Sequence, residues 1–174
     1  MPLFEPFVLC NQLVKNGILL TMRILVNTVN ETQELAAKLA KNVIAGDTIL
    51  LSGDLGAGKT TFTQGFAKEL GVRRPVKSPT FTLVREYRTE KFPLYHLDVY
   101  RLGEEGNAED LGLSEYFGGD GVALVEWSQY IKADLPDDVL KISFERVEGQ
   151  ETERLITITA TGHRSNQLLA AMEA

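Results

Sequence analysis

Two runs of the chain, Thr48-Ile49-Leu50-Leu51-Ser52 and Val122-Ala123-Leu124-Val125, are apolar without alternation, the pattern of strands buried on both faces of a parallel sheet. Around them the period changes. Leu35, Leu39 and Val43 recur at helical spacing ahead of the first run, behind Asn30-Glu31-Thr32-Gln33, which reads as a capping box with Asn30 as N-cap and Gln33 reaching back. Phe62, Phe66 and Leu70 keep the same spacing after it, and Gly71 stands where a C′ glycine closes a helix. Residues 81–84 and 92–97 read as strands joined by a turn near Thr89 to Lys91, a hairpin that makes the sheet partly antiparallel. Leu140, Ile142 and Phe144 alternate with polar residues, and Leu155, Ile156 and Ile158 do so less cleanly, which predicts a second hairpin at the sheet edge. Residues 102–121 are acidic and punctuated by glycine, so a surface excursion with a short helix within 107–117 is expected. Met22 opens a cleaner strand pattern through Asn27 and is a second place where translation can begin, while the tail after Gly162 is expected to fray.

Between the first apolar run and the helix that follows stands Gly53-Asp54-Leu55-Gly56-Ala57-Gly58-Lys59-Thr60, a complete G-x-x-x-x-G-K-[ST] loop. Its glycines let the backbone wrap a polyphosphate with N–H groups inward, Lys59 adds a point charge to the β/γ oxygens, and Thr60 offers a hydroxyl to Mg²⁺. Binding of a nucleoside triphosphate with Mg²⁺ is therefore predicted. Ile131-Lys132-Ala133-Asp134 departs from a guanine-reading N-K-x-D in its first residue and follows Glu126 too closely to be a separate loop. Nothing selects guanine, so ATP and ADP are the favoured ligands. The fold class expected is α/β: a single P-loop NTPase domain whose central mixed sheet is flanked by helices and carries antiparallel edge strands.

Hydrolysis or transfer needs an acid for the metal or the attacking water. Glu126 ends the second apolar run and resembles a Walker B acid, able to hold Mg²⁺ directly or through water opposite Thr60. Asp98 closes the strand in His96-Leu97-Asp98-Val99-Tyr100-Arg101, where ligand sites of parallel sheets lie; it either orients water or the metal's water, or pairs structurally with Arg101 or Lys77. Ser78-Pro79-Thr80 lies where switch segments carry a hydroxyl toward the γ-phosphate, which makes Thr80 a nucleotide sensor or part of a proline-bounded turn. His96, without a metal-ligand cluster, reads as a hydrogen-bonded core histidine.

The 174 residues, 44% of them hydrophobic, suffice for one domain with a real core and are short for two. Its extent is expected as 22–162, with 1–21 an extension and 163–174 a tail. A single cysteine, Cys10, excludes an internal disulfide and fits a reducing, cytoplasmic setting. The extension is interrupted by charge, Pro6 and Gly17 too often to span a bilayer or to act as a signal peptide. A net charge of −6 argues against a broad basic face gripping nucleic acid directly, with Arg73-Arg74-Pro75-Val76-Lys77 a local exception.

Four ordered stretches, GDLGAGKTT (53–61), VKSPTFTLVREY (76–87), HLDVYR (96–101) and LVEW (124–127), resemble the TsaE family, formerly YjeE. The resemblance covers roughly residues 30–160. It implies a bacterial cytoplasmic P-loop ATPase that works with TsaB and TsaD in making the threonylcarbamoyl modification of adenosine in tRNA, touching tRNA only through that complex. It also implies nucleotide contacts from Asp54 through Thr61, Mg²⁺ ligation by Thr60 and Glu126, and a part in hydrolysis for Asp98. Thr32 matches a threonine near the base in relatives, and Trp127 matches the family tryptophan, for which the sequence alone equally allows a packing role. A small-molecule kinase would need an acceptor pocket and an arginine-bearing lid, which residues 102–121 do not resemble. A noncatalytic nucleotide-sensing module is the third reading.

Overall fold

A computed structural model describes residues 20–79, 82–105 and 111–173. In chain order the elements are β1 (Thr21–Val26), α1 (Val29–Ala40), β2 (Thr48–Gly53), α2 (Lys59–Glu69), β3 (Val84–Tyr87), β4 (Leu94–Asp98), α3 (Tyr100–Glu105), β5 (Val122–Glu126), β6 (Leu140–Arg146), β7 (Arg154–Ala160) and α4 (His163–Glu173), with 3₁₀ segments at Leu113–Tyr116 and Ser128–Asp134. The strands form one mixed sheet in the order β1-β7-β6-β2-β5-β4-β3. β6, β2, β5 and β4 run parallel, and β1, β7 and β3 are antiparallel to their neighbours.

The two unbroken apolar runs are β2 and β5, and their side chains split between two cores. Ile49, Leu51, Val122 and Leu124 pack with Phe62 and Phe66 of α2, Leu35 and Leu39 of α1, and Leu168 and Leu169 of α4. Leu50, Ala123 and Val125 face the other way, onto Leu97, Val99, Leu102 of α3 and Ile131. With both faces covered, neither strand has a solvent side to mark by alternation. β1 has one: Met22, Ile24 and Val26 are buried while Arg23 and Leu25 are exposed. Among the described residues no helix is long and apolar enough to cross a membrane.

Six expectations are corrected. The N-cap of α1 is Thr28 rather than Asn30: the Thr28 hydroxyl accepts the Glu31 amide at 3.1 Å, and the Glu31 carboxylate accepts the Asn27 amide at 2.6 Å. Thr28 thus satisfies a first-turn amide, while the Glu31 carboxylate fixes the Asn27 amide ahead of the cap and stands where the helix dipole favours a negative charge. β3 starts at Val84 because Leu83, at φ 62°, is held in a turn by the hydrogen bond its amide donates to the Pro79 carbonyl. Thr80 and Phe81 lie outside the described residues. The β6/β7 hairpin is interior, since β1 adds a further antiparallel ladder to β7, from Thr21 opposite Thr159 to Val26 opposite Arg154. The expected extension thus gives its last two positions to the fold, Leu20 packing on the core and Thr21 opening the strand.

In the acidic excursion, a four-residue 3₁₀ turn at Leu113–Tyr116 stands in place of the expected helix, and 106–110 lie outside the described residues. Leu113 is its one buried side chain, with Tyr116 and Phe117 packed half-buried beside it, and the turn is bounded by Gly112 at φ 61° before it and by the extended backbone of Phe117 after it. The tail does not fray. Asp138 accepts the Arg164 and Ser165 amides at 2.7 and 2.9 Å, the Arg164 guanidinium grips Asp47 through two bonds of 2.8 Å, and Leu168, Leu169 and Met172 are buried.

Candidate nucleotide site

The phosphate loop leaves the carboxyl end of β2, where the sheet leaves no room for a side chain: a Cβ on Gly53 would lie 2.7 Å from the Phe144 carbonyl oxygen. α2 begins at Lys59 with no side-chain cap, which leaves its first amides to whatever enters the loop. The Lys59 ammonium donates to the carbonyls of Gly53 and, at 3.3 Å, Asp54, and lies 4.9 Å from the centre of the Trp127 ring.

β4 and β5 end side by side, Asp98 opposite Glu126, and both carboxylates are buried. Asp98 is fixed at both oxygens: Oδ2 accepts the Ser78 hydroxyl at 2.8 Å and Oδ1 the Tyr100 amide at 3.2 Å. Glu126 is held differently. Its Oε1 faces His96 Nε2 at 3.6 Å, and neither that oxygen nor either ring nitrogen has a hydrogen-bond partner among the described residues. His96 is therefore a core residue, fully buried, but one paired by proximity to a carboxylate and not by hydrogen bonds.

Past Glu126 the chain turns through Trp127 in the left-handed region, φ 62°, which is strained for any residue with a Cβ. That turn swings the indole beside the loop. Tyr100 meets the ring edge-on at 4.9 Å, and Tyr130 stacks on it at 6.4 Å. Together these groups border a cleft of about 540 Å³ lined by Leu55, Gly56, Gly58, Lys59, Thr60, Thr61, Ser78, Asp98, Tyr100, Glu126 and Trp127.

Most of the residues singled out in the sequence thus converge on one cleft. Asp54 and Ala57 do not line it; the Asp54 carbonyl serves Lys59, and Ala57 is buried beneath the loop. Thr32 sits on the buried face of α1, with its hydroxyl 3.5 Å from the Thr28 carbonyl, and is not part of the cleft wall either. Tyr100 was not among the expected site residues, although its place two positions after a strand-end acid is a usable signal. The basic stretch at 73–77 is separate: Arg74 stacks on Tyr87 at 4.6 Å and donates to the Glu86 carbonyl, in a cleft that also holds Glu86 and Glu90.

A magnesium ion fits this donor set. Among the described residues no cluster of three or more His, Cys, Asp or Glu is present, so the protein builds no closed cage. Thr60 and Glu126 border the same cleft, and a hard ion that keeps water and phosphate ligands needs few protein oxygens.

A phosphate loop that runs from the end of a central parallel strand into a helix, beside two strand-end acids, defines a P-loop protein of the α/β class. The model of the family "Threonylcarbamoyl adenosine biosynthesis protein TsaE" matches residues 26–156. The chain is 52% identical over 143 residues to the tRNA threonylcarbamoyladenosine biosynthesis protein TsaE of Bacillus subtilis strain 168, covering 81% of this chain and 88% of that one. The protein of the same name from Streptomyces coelicolor is 41% identical over 133 residues, 75% of this chain and 89% of that one. A crystal structure of Bacillus subtilis YdiB superposes with a TM-score of 0.78 at 41% identity, covering 91% of this chain and 97% of the other. The chain belongs to the TsaE family.

Proposed function

We propose that this chain binds ATP with Mg²⁺ in the cleft and hydrolyses it slowly, as the ATPase of the cytoplasmic tRNA threonylcarbamoyladenosine machinery, acting with TsaB and TsaD and reaching tRNA only through them. The observation that carries the reading is the register of β4 and β5, which sets Asp98 and Glu126 side by side in the cleft that Lys59 also lines. In this reading the loop amides and Lys59 receive the polyphosphate, whose oxygens replace the Gly53 and Asp54 carbonyls that hold the ammonium in the free loop. Thr60 and Glu126 would hold Mg²⁺, which when bound would offset the negative charge of the polyphosphate. Asp98, immobilised by Ser78 and the Tyr100 amide, orients the attacking water, and Trp127 and Tyr100 wall the nucleotide from solvent. Thr80 would complete the site as sensor of the γ-phosphate, and Thr32 would lie near the base.

The deciding measurement is Mg²⁺-dependent ATP hydrolysis by the protein alone and with its TsaB and TsaD counterparts, with Lys59→Ala as blank. A rate that changes with the partners and vanishes in the blank is expected. A rate indifferent to both partners, with no binding to them, would overturn the assignment to the complex. Nucleotide binding without hydrolysis would leave a sensing module.

A further inference from the structure

Two arginines that do not line the cleft hold the loop from behind. β6 and β7 carry a cross-strand pair, Arg146 opposite Arg154, and both side chains reach a loop 90 to 97 positions earlier in the chain. Arg154 Nε donates to the Ala57 carbonyl at 3.2 Å, while its Nη1 donates to the carbonyls of Glu151 and Glu153, each at 2.8 Å. One guanidinium thus ties the loop to the turn between β6 and β7. Arg146 Nη2 lies 3.4 Å from the carbonyls of both Leu55 and Gly56.

The consequence follows from peptide geometry. In a trans peptide the carbonyl and the next N–H point to opposite sides, and no cis bond occurs among the described residues. Pulling the Ala57 carbonyl outward therefore aims the Gly58 N–H inward, and the Leu55 carbonyl does the same for the Gly56 N–H. Gly56 and Gly58 border the cleft, whereas Ala57 and the two arginines do not. Both glycines have positive φ, 75° and 117°, and a glycine backbone has little preference of its own for either orientation of such a peptide. Within the loop the Ala57 amide is spent on the Asp54 carbonyl at 3.0 Å, and the arginines add the anchors from outside it.

We propose that Arg154, seconded by Arg146, is a positioning residue for the phosphate loop, fixing its outer carbonyls so that a polyphosphate meets amides already aimed at it. The inference rests on the nucleotide-binding reading above. A staple that only joins the β6–β7 turn to the sheet would explain the same bonds, so affinity and loop order must be read separately from stability.

The test uses the full chain as wild type, Arg154→Gln, Arg154→Lys and Arg146→Gln. Mg-ATP and Mg-ADP affinities are taken by calorimetry well below each melting temperature, and amide exchange at residues 55–58 is followed without nucleotide. Arg154→Gln should bind about tenfold more weakly, the scale of one hydrogen bond to a charged group, with faster exchange at Gly56 and Gly58. Arg154→Lys, whose compact ammonium lacks the planar fork that reaches the loop through Nε and the turn through Nη1, should recover only part of the loss; Arg146→Gln should show a smaller one. Wild-type affinity and exchange in Arg154→Gln, whatever its melting temperature, would overturn the proposal. If Arg154→Gln does not fold, the other two variants decide by the same readouts. If the wild type binds no nucleotide, the functional reading fails, and amide exchange alone decides whether Arg154 orders the loop.

Discussion

The Ser78 hydroxyl is hydrogen-bonded to Asp98 at 2.8 Å across a sequence separation of 20, so the segment that leads toward β3 is latched to the carboxylate at the end of β4. Asp98→Asn keeps the size of the group and removes its charge; kcat for ATP should fall on the order of 100-fold, the lower range for loss of a positioned acid or base. Ser78→Ala should lower kcat several-fold and leave nucleotide affinity nearly unchanged. Unchanged kcat in both would remove Asp98 from the chemistry.

Trp127 is the only tryptophan, and the Lys59 ammonium lies 4.9 Å from its ring centre. A polyphosphate that draws Lys59 away from the Gly53 and Asp54 carbonyls also changes the charge next to the indole. Tryptophan emission should shift as Mg-ATP is added, in a saturable way, and should not in Lys59→Ala. An identical titration in both proteins would show that the indole does not report on the loop.

The attachment of α4 depends on pH. Burial pushes the Asp138 carboxyl up, but hydrogen bonding from Ser165 and from the Arg164 amide outweighs it and holds the group below its ordinary 3.8. Because the folded value is the lower one, the contribution is complete above the unfolded value and disappears as pH falls through the folded value. Asp138→Ala should cost about 1 kcal/mol at neutral pH, the usual scale for a lost helix cap, in urea unfolding. The gap to wild type should close on acidification below 3.8. A gap that stays constant through that range would discount the carboxylate as the cap.

Truncation after Gly162 should destabilise the domain by several kcal/mol, since Leu168, Leu169 and Met172 are all buried and full burial of each such side chain is worth about 1.5–3 kcal/mol. An unchanged urea midpoint would mean that the helix adds nothing to the core.

Gly65 in the middle of α2 is a packing glycine. Alanine there would gain roughly 1 kcal/mol of helix propensity, yet its Cβ would lie 2.7 Å from Cα and 2.8 Å from the carbonyl oxygen of Gln33 on α1. Overpacking against backbone costs about 1–3 kcal/mol and wins. Gly65→Ala should therefore melt below wild type; a higher melting temperature would show that α1 and α2 can move apart freely.

The inner strands and the loop were legible because their signals are local. β2 and β5 are continuous apolar runs, and the loop is eight consecutive residues. β3 was placed three residues early because an edge strand with one buried residue, Tyr87, and charged neighbours carries almost no pattern. α4 was missed for a related reason: its anchors, Asp138 and Asp47, lie far back in the chain, and its three large apolar residues fall within five positions. Arg146 and Arg154 escaped because a loop motif says nothing about the residues that brace it from another part of the sheet. Residues that touch the ligand cluster in short motifs, whereas those that set the shape of the motif are dispersed.

The two acids that face the cleft are rooted in the part of the sheet least able to loosen. Glu126 and Asp98 end β5 and β4, each of which has a hydrogen-bonded neighbour on both sides, and central strands of this kind belong to the most stable part of a domain. Local melting therefore cannot switch these groups on or off. Any molecule that sets the tempo of this site has to grip the rim: the turn before β3, the left-handed bend at Trp127, or the β6–β7 turn that Arg154 ties to the loop.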